Sequence, residues 1–165
     1  IMDRLRRHHG LIIGEPTAKR LKLDLASAIE PADPTRSVTV KGRDVQTGTP
    51  RAAEVTSGEM SDAAQPVLLR LSRVVQRAVA DLQPEVAADI YDRGLILTGG
   101  GALFDGVGEF MQRETKLVSR VAEEPRYAIV RGLMQLYEEP LLLRRVTRNE
   151  PLPVLTAEDG ALESL

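Results

Sequence analysis

In the stretch Arg93-Gly94-Leu95-Ile96-Leu97-Thr98-Gly99-Gly100-Gly101-Ala102-Leu103-Phe104, a short apolar run ends in a threonine and three consecutive glycines. Helical periodicity takes over at about Leu103, so the pattern predicts strand, tight turn and helix. At such a junction the free N–H groups of the first helical turn point outward, and the helix dipole favours a phosphate or another polar ligand group. Glycine also lets a ligand lie directly against the main chain, because no Cβ stands in the way. Three glycines after a strand can also be only a flexible turn. Its spacing matches neither the dinucleotide-binding glycine pattern nor the P-loop, so a nucleotide bound here requires a different fold.

The flanks of this turn read as alternating elements. Upstream, Thr56 and Glu59 have capping-box spacing and precede a stripe of Met60, Ala63, Ala64, Val67, Leu68, Leu71, Val74, Val75, Ala78, Val79 and Leu82. Pro66 falls inside this helix and removes one backbone hydrogen bond, which predicts a bend or a wide first turn. Pro84 starts a second helix, Glu85 to about Asp92, and Gly94 closes it. Downstream, Val107, Phe110 and Met111 suit the apolar face of a helix reaching about Thr115. Leu117 to Val121 suits a strand, and Pro125 opens a helix directing Ile129, Leu133, Leu136 and Tyr137 toward a core. This order predicts an α/β layer with the glycine turn at the carboxyl end of a strand, where such sheets bind ligands. Residues 149–165 hold two prolines and four acidic residues and read as a loose tail.

The first third of the chain has a different texture. Met2 to His9 reads as the end of a helix, with basic residues in its last turn and Gly10 as a stop signal. His8 and His9 point about 100° apart on a helix and have no carboxylate at ligand spacing, so they read as surface residues rather than metal ligands. Pro16 suits a first helical turn, and Ala18, Leu21, Leu25 and Ala28 share one face of a helix of about 13 residues. Lys19, Arg20, Lys22 and Asp24 lie off that stripe, as an ordinary solvated face would. After the proline-rich connection 30–36, Ser37 to Lys41 alternates as a half-buried strand. Arg51 to Thr56 is its candidate partner, with turn residues between them.

Composition narrows the function classes. The 165 residues suffice for one domain or two small lobes, and only 3% are aromatic, so the core is aliphatic. A formal charge of −2 provides no overall basic field for nucleic acid. The absence of cysteine excludes disulfides and thiolate metal sites and suits a reducing cytoplasm. No apolar run approaches the roughly 18 residues of a membrane span. The chain opens inside a helical pattern at Ile1-Met2, as a fragment of a longer protein would.

Three segments together carry a resemblance. Gly10-Leu-Ile-Ile-Gly-Glu-Pro-Thr-Ala-Lys-Arg-Leu-Lys22, Val40-Lys-Gly-Arg-Asp-Val-Gln-Thr-Gly-Thr-Pro-Arg51 and Pro84 through Leu103 resemble the carboxyl-terminal half of the MreB family, the bacterial actins. The match runs in order from residue 1 to about 138. The resemblance implies the second lobe of the actin and heat-shock-chaperone ATPase fold, α/β in class. Residues 1–57 would form a small α+β outer subdomain, and 58–148 a ribonuclease-H-like inner subdomain. It also implies that the adenosine side of ATP is held with Lys19, Arg20 and Lys22 beside ribose and base. Gly99, Gly100, Gly101 and Ala102 would lie against the sugar and proximal phosphates. Position 19 departs from the family pattern, with a donor-only lysine where a glutamate is usual.

The family's phosphate-binding hairpins, the acidic residues that position Mg2+ and the residue that orients the attacking water correspond to segments before residue 1. This chain alone is therefore expected not to be an ATPase. The resemblance further implies ATP-dependent head-to-tail polymerisation into filaments at the cytoplasmic membrane face, organising the cell-wall elongation machinery and rod shape. Two other readings stay open: a degenerate or truncated member without nucleotide function, and another ATPase of the superfamily, such as a sugar kinase or chaperone.

Overall fold

A computed structural model describes residues 1–148 and 150; the reading of 149–165 as a loose tail lies outside them except for Glu150. The chain divides into two compact units, one from Ile1 to Arg126 and a second from Tyr127 onward.

The first unit begins with helix α1, Met2–His9, which Gly10 ends in the left-handed conformation at φ 59°, as the stop signal requires. Strand β1, Leu11–Ile12, and helix α2, Glu15–Asp24, follow, with Pro16 in the first turn of α2. Strands β2, Ser37–Asp44, and β3, Pro50–Thr56, form an antiparallel hairpin in the register Ser37↔Thr56 to Arg43↔Pro50. β1 adds to its far edge, giving the sheet order β1-β2-β3.

Helix α2 is shorter than its periodicity predicts, because it stops at Asp24 and the chain from Leu25 to Ile29 runs on as a buried strap. Side chains and a distant carbonyl satisfy the strap's backbone, which makes a further helical turn unnecessary. The Ser27 N–H donates to Ser61 Oγ at 2.9 Å, Gln65 Nε2 donates to the Ala28 carbonyl at 2.9 Å, and the Ala28 N–H donates to the Asp105 carbonyl at 2.8 Å.

Helix α3, Ser57–Ala80, starts where the capping pattern predicts: Thr56 Oγ1 accepts the Glu59 N–H at 3.2 Å. The Glu59 carboxylate does not close the reciprocal half of the box. It accepts from His9 Nε2 at 2.8 and 2.9 Å, with Arg4 Nε 3.4 Å away, and so ties α1 to the start of α3. Helix α4, Pro84–Arg93, leads through Gly94 into strand β4, Leu95–Leu97. A 3-10 turn, Gly100–Leu103, comes next, then helix α5, Val107–Thr115, and strand β5, Ser119–Val121, parallel to β4. Helix α5 begins four residues later than the periodicity at about Leu103 suggests. Asp105 and Gly106 form the turn that meets the strap, and Gly106, at φ 67°, has no room for a Cβ beside Ile29.

The core runs from the three-stranded sheet to α5 through Leu5, Leu11, Leu21, Val40, Val55, Met60, Leu68 and Phe110, and Leu97 of β4 packs against it. The apolar stripe of α3 divides. Met60 and Leu68 are buried, whereas Val67, Leu71 and Val74 are 50%, 52% and 60% exposed. In the second unit, helices α6, Ala128–Glu138, and α7, Pro140–Thr147, lie beside each other, and Ile129, Leu133 and Tyr137 are exposed rather than buried. No helix among the described residues is long and apolar enough to cross a membrane.

Two outcomes follow from this packing. Met60→Ala removes a fully buried side chain at the junction of α3 and the three-stranded sheet and should cost about 2–5 kcal/mol, read by urea denaturation. In the hairpin turn, Asp44 accepts from the Gln46 and Thr47 N–H groups and from Arg51 Nη1, and these bonds, led by that from Thr47, hold its pKa at about 2. Because the folded pKa is depressed, the stability it contributes is present above about pH 4 and lost as pH falls toward about 2. Carboxyl chemical shifts should place the Asp44 midpoint near that value, and Arg51→Ala should raise it.

Candidate nucleotide-binding cleft

A cavity of about 630 Å³ opens where α1, α2, α3 and the glycine turn meet, within the first unit. Its long wall is apolar and comes from α3, with Ala63, Ala64, Val67, Leu68 and Leu71 facing the opening. The start of α1 contributes Ile1, Met2 and Asp3, and the glycine turn contributes Gly101 and Phe104. The polar rim comes from α2 through Lys19 and Lys22, one turn apart and on the same face.

The strap from Leu25 to Ile29 sets the spacing of these parts. Its carboxyl end is bonded to Asp105, just past the glycine turn, and its amino end continues α2. Ser57 Oγ donates to the Leu25 carbonyl at 2.7 Å, so α3 grips the strap at Leu25, Ser27 and Ala28.

In the turn itself, Gly99 sits at φ 80°, a conformation that favours glycine, and its N–H donates to the Pro125 carbonyl at 2.6 Å. The N–H groups of Gly100 and Gly101 open the 3-10 turn and precede any acceptor inside it. Nothing lies within 4 Å of where a Cβ would stand on Gly99, Gly100 or Gly101. Internal packing therefore does not explain why the last two are glycine.

The structure brings Lys19, Lys22 and Gly101 to one cavity. Arg20 is exposed and lies outside its lining, as do Gly99, Gly100 and the buried Ala102. The apolar α3 wall was not among the sequence-based candidates. Val67 and Leu71 read as core because periodicity identifies an apolar face without telling what covers it. Lys19 and Lys22 have no ion-pair or hydrogen-bond partner among the described residues. Asp3, 4.0 Å from Arg7 Nη2, is the one acid in the lining. Among the described residues no group of three or more His, Cys, Asp or Glu could hold a metal ion.

The family model for MreB/Mbl proteins matches residues 1–145. The chain belongs to the MreB/Mbl family. Among its relatives, the cell shape-determining protein MreB of Escherichia coli is 39% identical over 132 residues, covering 80% of this chain and 38% of that protein. The MreB of Pasteurella multocida is 38% identical over 133 residues, again 80% of this chain and 38% of the relative. The cell shape-determining protein Mbl of Bacillus subtilis is 33% identical over 132 residues, 80% and 39% of the two chains. The chain thus spans about two-fifths of the length of these relatives.

Among solved structures, MreB5 of Spiroplasma citri bound to ADP superposes with a TM-score of 0.80 at 23% identity, over 90% of this chain and 44% of that one. The same protein has also been solved bound to AMPPNP. A non-polymerising variant of MamK bound to AMPPNP gives 0.61 at 19% identity, over 82% and 41% of the two chains. The fold is accordingly α/β, that of one lobe of an actin-like protein, and the family is one of bacterial actin-like cytoskeletal proteins.

The glycines of this region divide by what a side chain would meet. At Gly94, at φ 77°, a Cβ would overlap the Val118 carbonyl oxygen where β4 meets β5, so Gly94→Ala should destabilise by more than about 1 kcal/mol. Gly100→Ala meets open space at an ordinary φ and should leave the thermal midpoint unchanged or slightly higher. Calorimetric melts of the two variants check the contrast.

Proposed function

We propose that this chain supplies one wall of a nucleotide-binding cleft in a bacterial actin-like protein that binds ATP and polymerises. The observation that carries this reading is the meeting of Lys19, Lys22 and Gly101 at one cavity, with unused space beside the glycines of a strand-to-helix turn. An adenine ring suits the apolar α3 wall, the lysines suit the sugar side, and the Gly100 and Gly101 amides suit the proximal phosphates. Arg20, Gly99 and Ala102 complete the proposed set through their positions beside these residues. Among the described residues the carboxylates do not form a cage for Mg2+. A magnesium ion would be held chiefly by the nucleotide's phosphates and water.

On this reading residues 1–57 act as the outer subdomain and 58–148 as the inner one, and a further lobe, as in the longer relatives, closes the cleft. The hairpin of β2 and β3 would take part in head-to-tail contacts between subunits, since one free edge of the sheet is β3 and heterologous contacts propagate into filaments. Filaments at the cytoplasmic membrane face that organise cell-wall elongation and rod shape are the role proposed for the whole protein. The relatives' names as cell shape-determining proteins support it.

A one-walled cleft binds weakly. The chain alone should bind ATP with a Kd on the order of 1 mM, about −4 kcal/mol, in ligand-observed NMR. Submicromolar affinity would contradict the one-wall reading, and no binding at several times that concentration would mark a member without nucleotide function.

A further inference from the structure

The two ends of helix α3 carry opposite charge. At its amino end Glu59 is bonded to His9, and His9 lines a second, polar cavity of about 420 Å³ between the last turn of α1 and the turn of the β2–β3 hairpin. The Val45 N–H donates to the Gly10 carbonyl at 2.8 Å and fixes one wall of this cavity against the other. Arg6, Arg7 and Arg51 line it against a single acid, Asp44, whose carboxylate is already committed to the Gln46 and Thr47 N–H groups and to Arg51 Nη1. Arg6 has no side-chain partner among the described residues, and Arg7 reaches only the exposed Asp3, through its carbonyl and, at 4.0 Å, its carboxylate. A helix carboxyl end carries only about half a negative charge, so the arginines leave positive charge in surplus.

The carboxyl end of α3 leads into α4, which does not fold back along it. With 24 residues, α3 sets the two places about 36 Å apart along its axis. On α4, Glu85, Asp89 and Asp92 fall within about 60° of arc, all exposed and without a side-chain partner among the described residues. Arg93, the one cation of α4, stands at the edge of this acidic face.

Resting on the head-to-tail reading of the hairpin above, we propose that the acidic face of α4 in one copy of this chain seats in the arginine-lined cavity of the next. Opposite charges at opposite ends of one molecule define a heterologous contact, which repeats from copy to copy instead of closing on itself. Pairing cavity to cavity or α4 to α4 brings like charges together and is disfavoured. Arg6 and Arg7 supply the free guanidinium forks, whose geometry matches a carboxylate, while Asp44 holds Arg51 in place beside them. A contact made of exposed charges is weak in each pair and screened by salt.

The test uses the chain and two charge-reversed forms, one with Arg6→Glu and Arg7→Glu, the other with Glu85→Lys and Asp89→Lys. All four positions are exposed, and circular dichroism checks that both forms fold. Sedimentation equilibrium reads self-association at about 0.01 M salt, where the screening length is about 30 Å, and at about 1 M, where it is about 3 Å. The wild-type chain should associate at low salt and be monomeric at high salt. Each reversed form alone should associate about tenfold more weakly, a difference of about 1.4 kcal/mol. An equimolar mixture of the two should regain association, because every contact in it again joins opposite charges. Wild-type association that survives either reversal, or a mixture that fails to recover, would overturn this contact and leave head-to-tail assembly through another surface standing. A wild-type chain that stays monomeric at low salt would overturn the contact and the head-to-tail role of the hairpin together.

Discussion

The strap from Leu25 to Ile29 is the constraint on which the rest of the first unit depends. It is irregular and buried from Leu25 to Ala28, so its polar backbone groups need partners that a helix or sheet would otherwise have provided. Those partners are the hydroxyls of Ser57 and Ser61, the Gln65 amide and the Asp105 carbonyl. Leaving one of them unmade would cost the desolvation of a buried amide or carbonyl, about 1–3 kcal/mol. The strap is thereby held to α3 on one side and to the turn before α5 on the other. Since α2 is continuous with it, the distance between Lys19 and the glycine turn is fixed by hydrogen bonds that involve neither.

Helix α3 works in two directions at once. Through Met60 and Leu68 it closes the core beneath the hairpin, and through Val67 and Leu71 it presents an apolar wall to the cavity. The first turn is further secured by the carboxylate of Glu59, which His9 and Arg4 approach from α1. Exposed ion pairs contribute little, but this carboxylate is only 16% exposed and receives two partners, so it acts as a junction between helices. The carboxyl end of α1 and the amino end of α3 are tied together through it. Ile1, Met2 and Asp3 belong to that same helix and line the cavity, so one edge of the cleft is attached to the same junction.

Local signals were legible where the partner is local. Gly10, the Thr56 cap, the hairpin, Pro84 and the strand at Leu95 to Leu97 all announce themselves within a few residues, and all stand where the pattern places them. What could not be read depends on partners far along the chain. The two-residue strand β1 exists because Leu11 and Ile12 find Asp44 and Arg43, and α2 stops at Asp24 because the strap's partners lie 32 to 37 positions later on α3. Glu59 has the spacing of a capping box but meets a histidine 50 residues away. The candidate site shows the same division. The glycine turn and the basic face of α2 were visible as motifs, whereas the α3 wall was not, because an apolar stripe reads identically whether protein or a ligand covers it.

The glycine turn gives that ambiguity its physical limit. Gly94 and Gly106 are explained by the protein alone: a side chain would run into the Val118 carbonyl at the first and into the Ile29 side chain at the second, and both have positive φ. Gly99 is explained by its φ of 80°. Gly100 and Gly101 are explained by neither, for their φ values suit any residue and their surroundings are open. A residue type that costs conformational entropy without serving the fold is most economically accounted for by something that approaches from outside. The amides that open the 3-10 turn lack acceptors within it, and Gly101 borders a cavity whose polar side chains are Lys19, Lys22 and Asp3. On the reading proposed above, the amides and the two lysines would face the anionic part of a ligand and the apolar wall along α3 its flat, hydrophobic part.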